Sequence, residues 1–248
     1  ILGLSIKTWT QVGYWQDSFT LFDHALKVTD DNWLAYNNRG TAYNDQGHYR
    51  QAINDFNKAI EIKPDHADAY VNRGAAYGRL GHYKQAIEDL NKALEIKPDD
   101  AMAYGNRGNA YRGLGHFSQA IEDYSRTITL KPDEAMAYRN RGKAYCSLGN
   151  YRQAIEDLNR AIEIRPGYEE AYIVRGVAYK GLGNYKQAIE DFGTAIEINP
   201  GLADAYFNRG LLYLKQGDNI SGCRDAQKAC ELRDCELLKA ANNGGLCR

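Results

Sequence analysis

The sequence predicts an all-α fold, a solenoid of antiparallel helix pairs closed by a capping helix, and three observations carry that expectation. The segments "YNNRGTAY" at Tyr36, "YVNRGAAY" at Tyr70, "YGNRGNAY" at Tyr104, "YRNRGKAY" at Tyr138, "YIVRGVAY" at Tyr172 and "YFNRGLLY" at Tyr206 recur every 34 residues. All five prolines, Pro64, Pro98, Pro132, Pro166 and Pro200, keep the same step of 34. So do Gly47, Gly81, Gly115, Gly149, Gly183 and Gly217. A fixed period of this length marks a stack of one supersecondary unit that cannot bury its apolar face alone.

Counted from Trp33, six units begin at residues 33, 67, 101, 135, 169 and 203 and fill 33–236, leaving 237–248 as a cap. The small and aromatic residues at positions 3, 4, 8, 10 and 11 of the units, mostly alanine and tyrosine with glycine at 8, share a helical face. A second apolar set follows the glycine at position 15, which suits a left-handed helix end. Proline at position 32 stops the second helix and starts the next unit. Gly40 and its equivalents at position 8, with Ala52, Ala86, Ala120, Ala154 and Ala188 at position 20, let two backbones approach. Tyrosines at positions 4, 11 and 17 make up 16 of the 19, so they are expected to fill the inter-helix core instead of stacking on bases. Residues 1–32 fit the frame in degenerate form, with Gly13 at position 15, Trp15 at 17, Phe22 at 24 and Ala25 at 27. They form either an N-terminal unit or a membrane-proximal segment.

A net charge of -1 with 44% hydrophobic residues lacks the basic excess that long nucleic-acid contacts require. The apolar start "ILGL" is broken by Ser5 and Lys7, far short of the roughly 20 residues that span a bilayer. An opening on Ile1 instead of Met is expected of a segment cut from a longer protein.

The pattern of an aromatic at position 4, glycine at 8, tyrosine at 11, alanine at 20 and 27 and proline at 32 resembles the tetratricopeptide repeat family. That resemblance is strong over residues 33–200 and weakens in the sixth unit, which carries Gly222 at position 20, Ala226 at 24 and Asp234 at 32. It implies a right-handed superhelix that binds protein, with positions 2, 5, 6, 9 and 12 of each first helix on the concave wall.

Where family members often carry leucine at position 7, this chain has Arg39, Arg73, Arg107, Arg141, Arg175 and Arg209. Each is followed 16 residues later by an aspartate, Asp55, Asp89, Asp123, Asp157, Asp191 or Asp225, which predicts one charge-assisted pair per hairpin. At position 6, Asn38, Asn72, Asn106, Asn140 and Asn208 form a ladder interrupted by Val174. An amide offers both a donor and an acceptor and so matches a peptide backbone of any sequence. The ladder is similar to the one with which the tetratricopeptide region of O-linked N-acetylglucosamine transferases holds extended polypeptide. Ordinary solvated asparagines are the other reading.

Some tetratricopeptide domains clamp a C-terminal carboxylate of chaperones with lysine at 5 and asparagine at 9, asparagine at 6 of the next unit, then lysine at 2 and arginine at 6. Asn109 and Asn140 match two of these positions, but Glu170 and Val174 stand where the later positive charges belong. Arg112, Arg139 and Lys143 remain as a local positive spot, open to an acidic partner segment or to solvent alone.

No catalytic set stands out from the repeat, so neither enzymatic activity nor a cofactor is expected. His48, His82 and His116 each sit at position 16 of a different unit, too far apart to share a metal. "GLG" at 113–115 and 181–183 lacks the lysine and hydroxyl of a phosphate loop. Cys223, Cys230, Cys235 and Cys247 crowd the C-terminus without the C-x-x-C spacing of a zinc site. "DCELLKAANN" reads as a helix antiparallel to the one bearing Cys223 and Cys230, bringing Cys230 near Cys235 and Cys223 near Cys247. Cys223 and Cys230 lie about 10 Å apart on one helix, beyond bonding reach. Two nested disulfides, implying an oxidising compartment, are the first expectation and reduced buried thiols the second.

The first 32 residues also resemble the junction between the last transmembrane helix and the repeat region in multispanning O-mannosyltransferase-like membrane proteins. Trp9, Tyr14 and Trp15 suit a membrane interface. The resemblance implies an extracytoplasmic location, periplasmic or lumenal, with attachment through residues missing from this chain; a cytoplasmic adaptor is the alternative. The expected function is to bind an extended segment of a protein partner, with no nucleic acid or metal involved. Presenting substrates to a membrane glycosyltransferase, or scaffolding an oligomer, are the competing readings.

Overall fold

The computed structural model describes residues 18–247. The positions assigned to Gly13 and Trp15, and the interface residues Trp9 and Tyr14, lie outside them. Among the described residues every regular element is an α-helix. The chain divides into two compact units, Ile1–Leu130 and Lys131–Arg248.

In the first unit α1 (Ser18–Val28) precedes three hairpins, α2 (Trp33–Asp45) with α3 (Tyr49–Ile62), α4 (Ala67–Arg79) with α5 (Tyr83–Ile96), and α6 (Ala101–Gly113) with α7 (Phe117–Leu130). The second holds α8 (Ala135–Ser147) with α9 (Tyr151–Ile164), α10 (Glu169–Gly181) with α11 (Tyr185–Ile198), α12 (Ala203–Lys215) with α13 (Asn219–Glu231), and the cap α14 (Glu236–Asn243).

Each hairpin turns because its glycine at position 15 takes a positive φ, +78° at Gly47 and +84° at Gly217, where a side chain would clash. The amide of His48 then donates to the Tyr43 carbonyl at 2.8 Å and that of Gly47 to Asn44 at 3.0 Å, which satisfies the last carbonyls of α2. Where the sixth unit lacks proline, Arg233 supplies the left-handed residue at φ +78° and Asp234 N donates to the Ala229 carbonyl at 2.9 Å.

The hairpins close on the small residues. A Cβ at Gly40 would lie 2.7 Å from the Phe56 ring, and one at Gly108 would lie 2.8 Å from Tyr124. Ala52, Ala86, Ala120, Ala154 and Ala188 are fully buried, as are Phe56, Leu90, Tyr124, Leu158 and Phe192 at position 24. Tyrosine at position 17 packs across hairpins, with Tyr83 against Gly113 in the first unit and Tyr151 against Gly181 in the second. α1 packs on α2, its Phe19 ring 4.8 Å from that of Tyr43.

At the C-terminus α14 buries Leu237 and Ala241, with Leu237 against Gly210. Cys223 is bonded to Cys247 and Cys230 to Cys235, with Cα separations of 5.5 and 4.0 Å, so α13 and α14 are joined at both ends. Cys146 is a half-buried thiol, and burial pushes its pKa up to about 11. No helix among the described residues is long and apolar enough to cross a membrane, and none of their side chains cluster as a metal site.

Candidate functional site

The arginine at position 7 sets the frame on which the open face of each first helix is held. In all six hairpins its Nε and Nη2 donate to the two carboxylate oxygens of the aspartate at position 23, at 2.6–2.9 Å, as the 16-residue spacing predicts. The remaining nitrogen reaches backwards. Nη1 of Arg73, Arg107 and Arg175 donates to Asn57, Asn91 and Asn159 of the preceding second helix at 2.6–2.7 Å, and Arg39 reaches Asp23 of α1. Each guanidinium also lies over the tyrosine at position 4, 5.3 Å from the ring centroid for Arg175 and Tyr172. Hydrogen bonds to their aspartates push Arg107, Arg141 and Arg209 further above the usual guanidinium range, against the effect of burial. These charges are therefore internal staples and leave no positive stripe for a ligand.

The position-6 asparagines lie about 100° further around each first helix, but the structure does not present them as a uniform row. In the first unit Asn38, Asn72 and Asn106 are half-buried. Asn72 Nδ2 donates to Asn37 Oδ1 at 3.2 Å and reaches Thr41 Oγ1 at 3.5 Å, so one amide is brought onto a neighbour in the preceding hairpin. In the second unit Asn140 is only 6% exposed, while Asn208 donates to the Asp204 carbonyl at 2.8 Å and accepts from Lys180 Nζ at 2.6 Å.

The other candidates divide in the same way. Asn109 Oδ1 accepts from the buried Tyr124 hydroxyl at 2.9 Å, which turns it toward the hairpin core. Arg112 is half-buried, with its Nε wholly covered. Arg139 Nε donates to the Tyr168 hydroxyl at 2.9 Å, with its guanidinium 5.4 Å from that ring, so it braces its own unit, and Lys143 is exposed. The outer end of the face is apolar in places, with Leu34, Met102 and Met136 at position 2 half or more exposed.

Sequence reasoning missed Asn37 and Thr41, the partners of Asn72, as well as Lys180 and the position-25 asparagines. Recurrence of Asn57, Asn91 and Asn159 at one position was the available signal for the last group. Nothing repeats in the others.

Profiles described as TPR repeat and tetratricopeptide repeat match residues 40–81, 178–217, 67–100, 90–122, 108–175 and 203–234. A crystal structure of MamA is 30% identical over 65% of this chain and 94% of its own, with a TM-score of 0.59. The chain belongs to the tetratricopeptide repeat family. A second structure similar to this tetratricopeptide chain is YrrB, described as a TPR protein with an unusual peptide-binding site. It is 25% identical, the match covers 76% of this chain and 97% of YrrB, and the TM-score is 0.61. A tetratricopeptide repeat protein from Parabacteroides merdae shares the fold at 21% identity, over 94% of this chain and 96% of its own, with a TM-score of 0.71. A search of curated proteins returns no match. The tetratricopeptide architecture makes the chain a protein–protein interaction module.

Proposed function

We propose that the chain binds an extended polypeptide segment of a partner along the open face of its first helices, through side-chain amides. The observation that carries this reading is the cluster of buried Asn37 with half-buried Thr41 and Asn72, which crosses from one hairpin to the next and orients the Asn72 amide on the face. YrrB, 25% identical, is itself described as having a peptide-binding site. A largely polar face removes little apolar area from water, so affinities on the order of micromolar are expected.

The test uses a peptide selected from a random library on the intact chain. Asn38→Ala, Asn72→Ala and Asn106→Ala combined should weaken its binding at least about tenfold with little change in Tm, one tenfold step being about 1.4 kcal/mol. Unchanged affinity would move binding to another surface and favour the oligomerisation scaffold.

The two C-terminal disulfides favour an extracytoplasmic setting, since such bonds persist in oxidising compartments. Together with the junction-like residues 1–32 they favour a larger membrane protein as the source, with presentation of acceptor polypeptides to a membrane glycosyltransferase as the alternative reading. Counting free thiols on denatured protein purified without reductant checks the compartment. One free thiol supports it, and five return the chain to the cytoplasm.

A further inference from the structure

Cations on the second helices are commonly paired with a glutamate three residues on. Lys58, Lys92, Arg160 and Lys228 lie 2.7–2.9 Å from Glu61, Glu95, Glu163 and Glu231. Two lysines of the second unit are held differently, each by a neutral oxygen. Lys180 Nζ, near the end of α10, donates to Asn208 Oδ1 at 2.6 Å, and Lys215 Nζ, at the end of α12, donates to the Tyr185 hydroxyl at 2.6 Å. Neither makes an ion pair among the described residues. Lys215 also lies 4.6 Å from the Tyr185 ring centroid. Asn208 is fixed in turn by its bond to the Asp204 carbonyl, so the ammonium of Lys180 is placed by a short chain of hydrogen bonds.

Both lysines are thus ordered and keep donors to spare, since an ammonium has three and uses one on a neutral acceptor that compensates little of its charge. Burial lowers the pKa of Lys180. The nearest acidic groups along the same helices, Glu170 on α10 and Asp204 on α12, lie ten and eleven residues away. At 1.5 Å per residue that is roughly 15 Å, beyond a Debye length at physiological salt. Asp204 stands one turn from Asn208, and Asp218, the cap of α13, follows Lys215 by three residues, but neither makes an ion pair with a lysine, so both ammonium groups stay unpaired among the described residues. Leu211, 38% exposed, lies one helical turn on from Asn208 and between the two lysine sites.

We infer that Lys180, Asn208 and Lys215 form a docking site for the carboxylate side chains of an acidic, apolar-interrupted segment of a partner polypeptide. Asn208 and Lys215 are seven residues apart on α12, about 10 Å along its axis. An extended chain rises about 3.3 Å per residue and alternates its side chains, so carboxylates four residues apart lie on one side about 13 Å apart and reach both ammonium groups, with the apolar side chain midway between them over Leu211. The inference rests on the groove-binding reading but places its charge selectivity in the second unit, away from the amide cluster around Asn72.

The test is fluorescence anisotropy on the intact chain with a labelled peptide repeating Glu-Ser-Leu-Ser, which sets glutamate and leucine in turn on one side of an extended chain, and its counterpart with glutamine for glutamate. The glutamate peptide is expected to bind at least about tenfold tighter at low ionic strength, as charge-assisted bonds outlast neutral ones. Lys180→Gln with Lys215→Gln should abolish that ratio, and Lys180→Arg with Lys215→Arg should keep it. Lys84→Gln with Lys186→Gln, which changes net charge equally at exposed positions, should leave it intact. Asn38→Ala, Asn72→Ala and Asn106→Ala combined should weaken both peptides while preserving the ratio, which separates failure of the amide reading from failure of this one. Equal affinity for the two peptides, no binding of the glutamate peptide, or a ratio that survives the double glutamine variant overturns the proposal.

Discussion

Arg107 ties its own helix to two others with one guanidinium, through Asp123 of its own hairpin at 2.7 and 2.9 Å and Asn91 of the preceding one at 2.7 Å. Asp123 is 3% exposed, so deleting it strands a largely buried charge. Asp123→Ala should cost about 3 kcal/mol of stability, measured by urea unfolding, because losing one partner of a buried pair removes the attraction and keeps the desolvation. Asn91→Ala removes a more exposed bond and should cost at most about 1 kcal/mol. If both substitutions are neutral, the staple contributes nothing. The aspartate half of this device was legible as a 16-residue spacing present in every unit. The asparagine half, also 16 residues from its arginine, was obscured because Ser125 and Gly193 replace it in two units.

At the scale of the helix, two glycines that look alike in sequence do different things. Gly108 in α6 faces Tyr124 so closely that a Cβ would sit 2.8 Å from the ring, whereas a Cβ at Gly78 in α4 meets nothing within 4 Å. Gly108→Ala should therefore destabilise the chain by about 1–3 kcal/mol through overpacking. Gly78→Ala should stabilise it by up to about 1 kcal/mol, since its helical backbone suits alanine and the unfolded chain loses freedom. Thermal melts of the two variants shifting in the same direction would contradict this account. Helix ends and hairpin closure were readable because glycine, alanine and proline recur at fixed positions and act locally. The accessibility of the asparagine face was not, because neighbouring side chains decide it. Lys180 captures Asn208 and Asn140 is buried, although both belong to the position-6 pattern, and Tyr124 captures Asn109 at position 9.

For the whole chain, a repeat stack has ends, and each end must cover an apolar surface that an interior unit would give to its neighbour. At the C-terminus α14 does this with Leu237 and Ala241, helped by two disulfides that close segments of 24 and 5 residues. Chain-entropy estimates give such loops about 3 and about 2 kcal/mol. Because stability in these stacks is a sum of local terms, reduction should act locally. Hydrogen exchange after reduction with a dithiol should therefore show lost protection in α12, α13 and α14, with the amides of α2 to α7 unchanged. Cys223→Ser with Cys247→Ser should reproduce most of the loss, since that bridge closes the longer segment. Unchanged protection in α14 after full reduction would mean that packing of Leu237 and Ala241 alone holds the cap. Uniform loss across both compact units would mean that the repeats melt as one cooperative body, and the additive picture would fail.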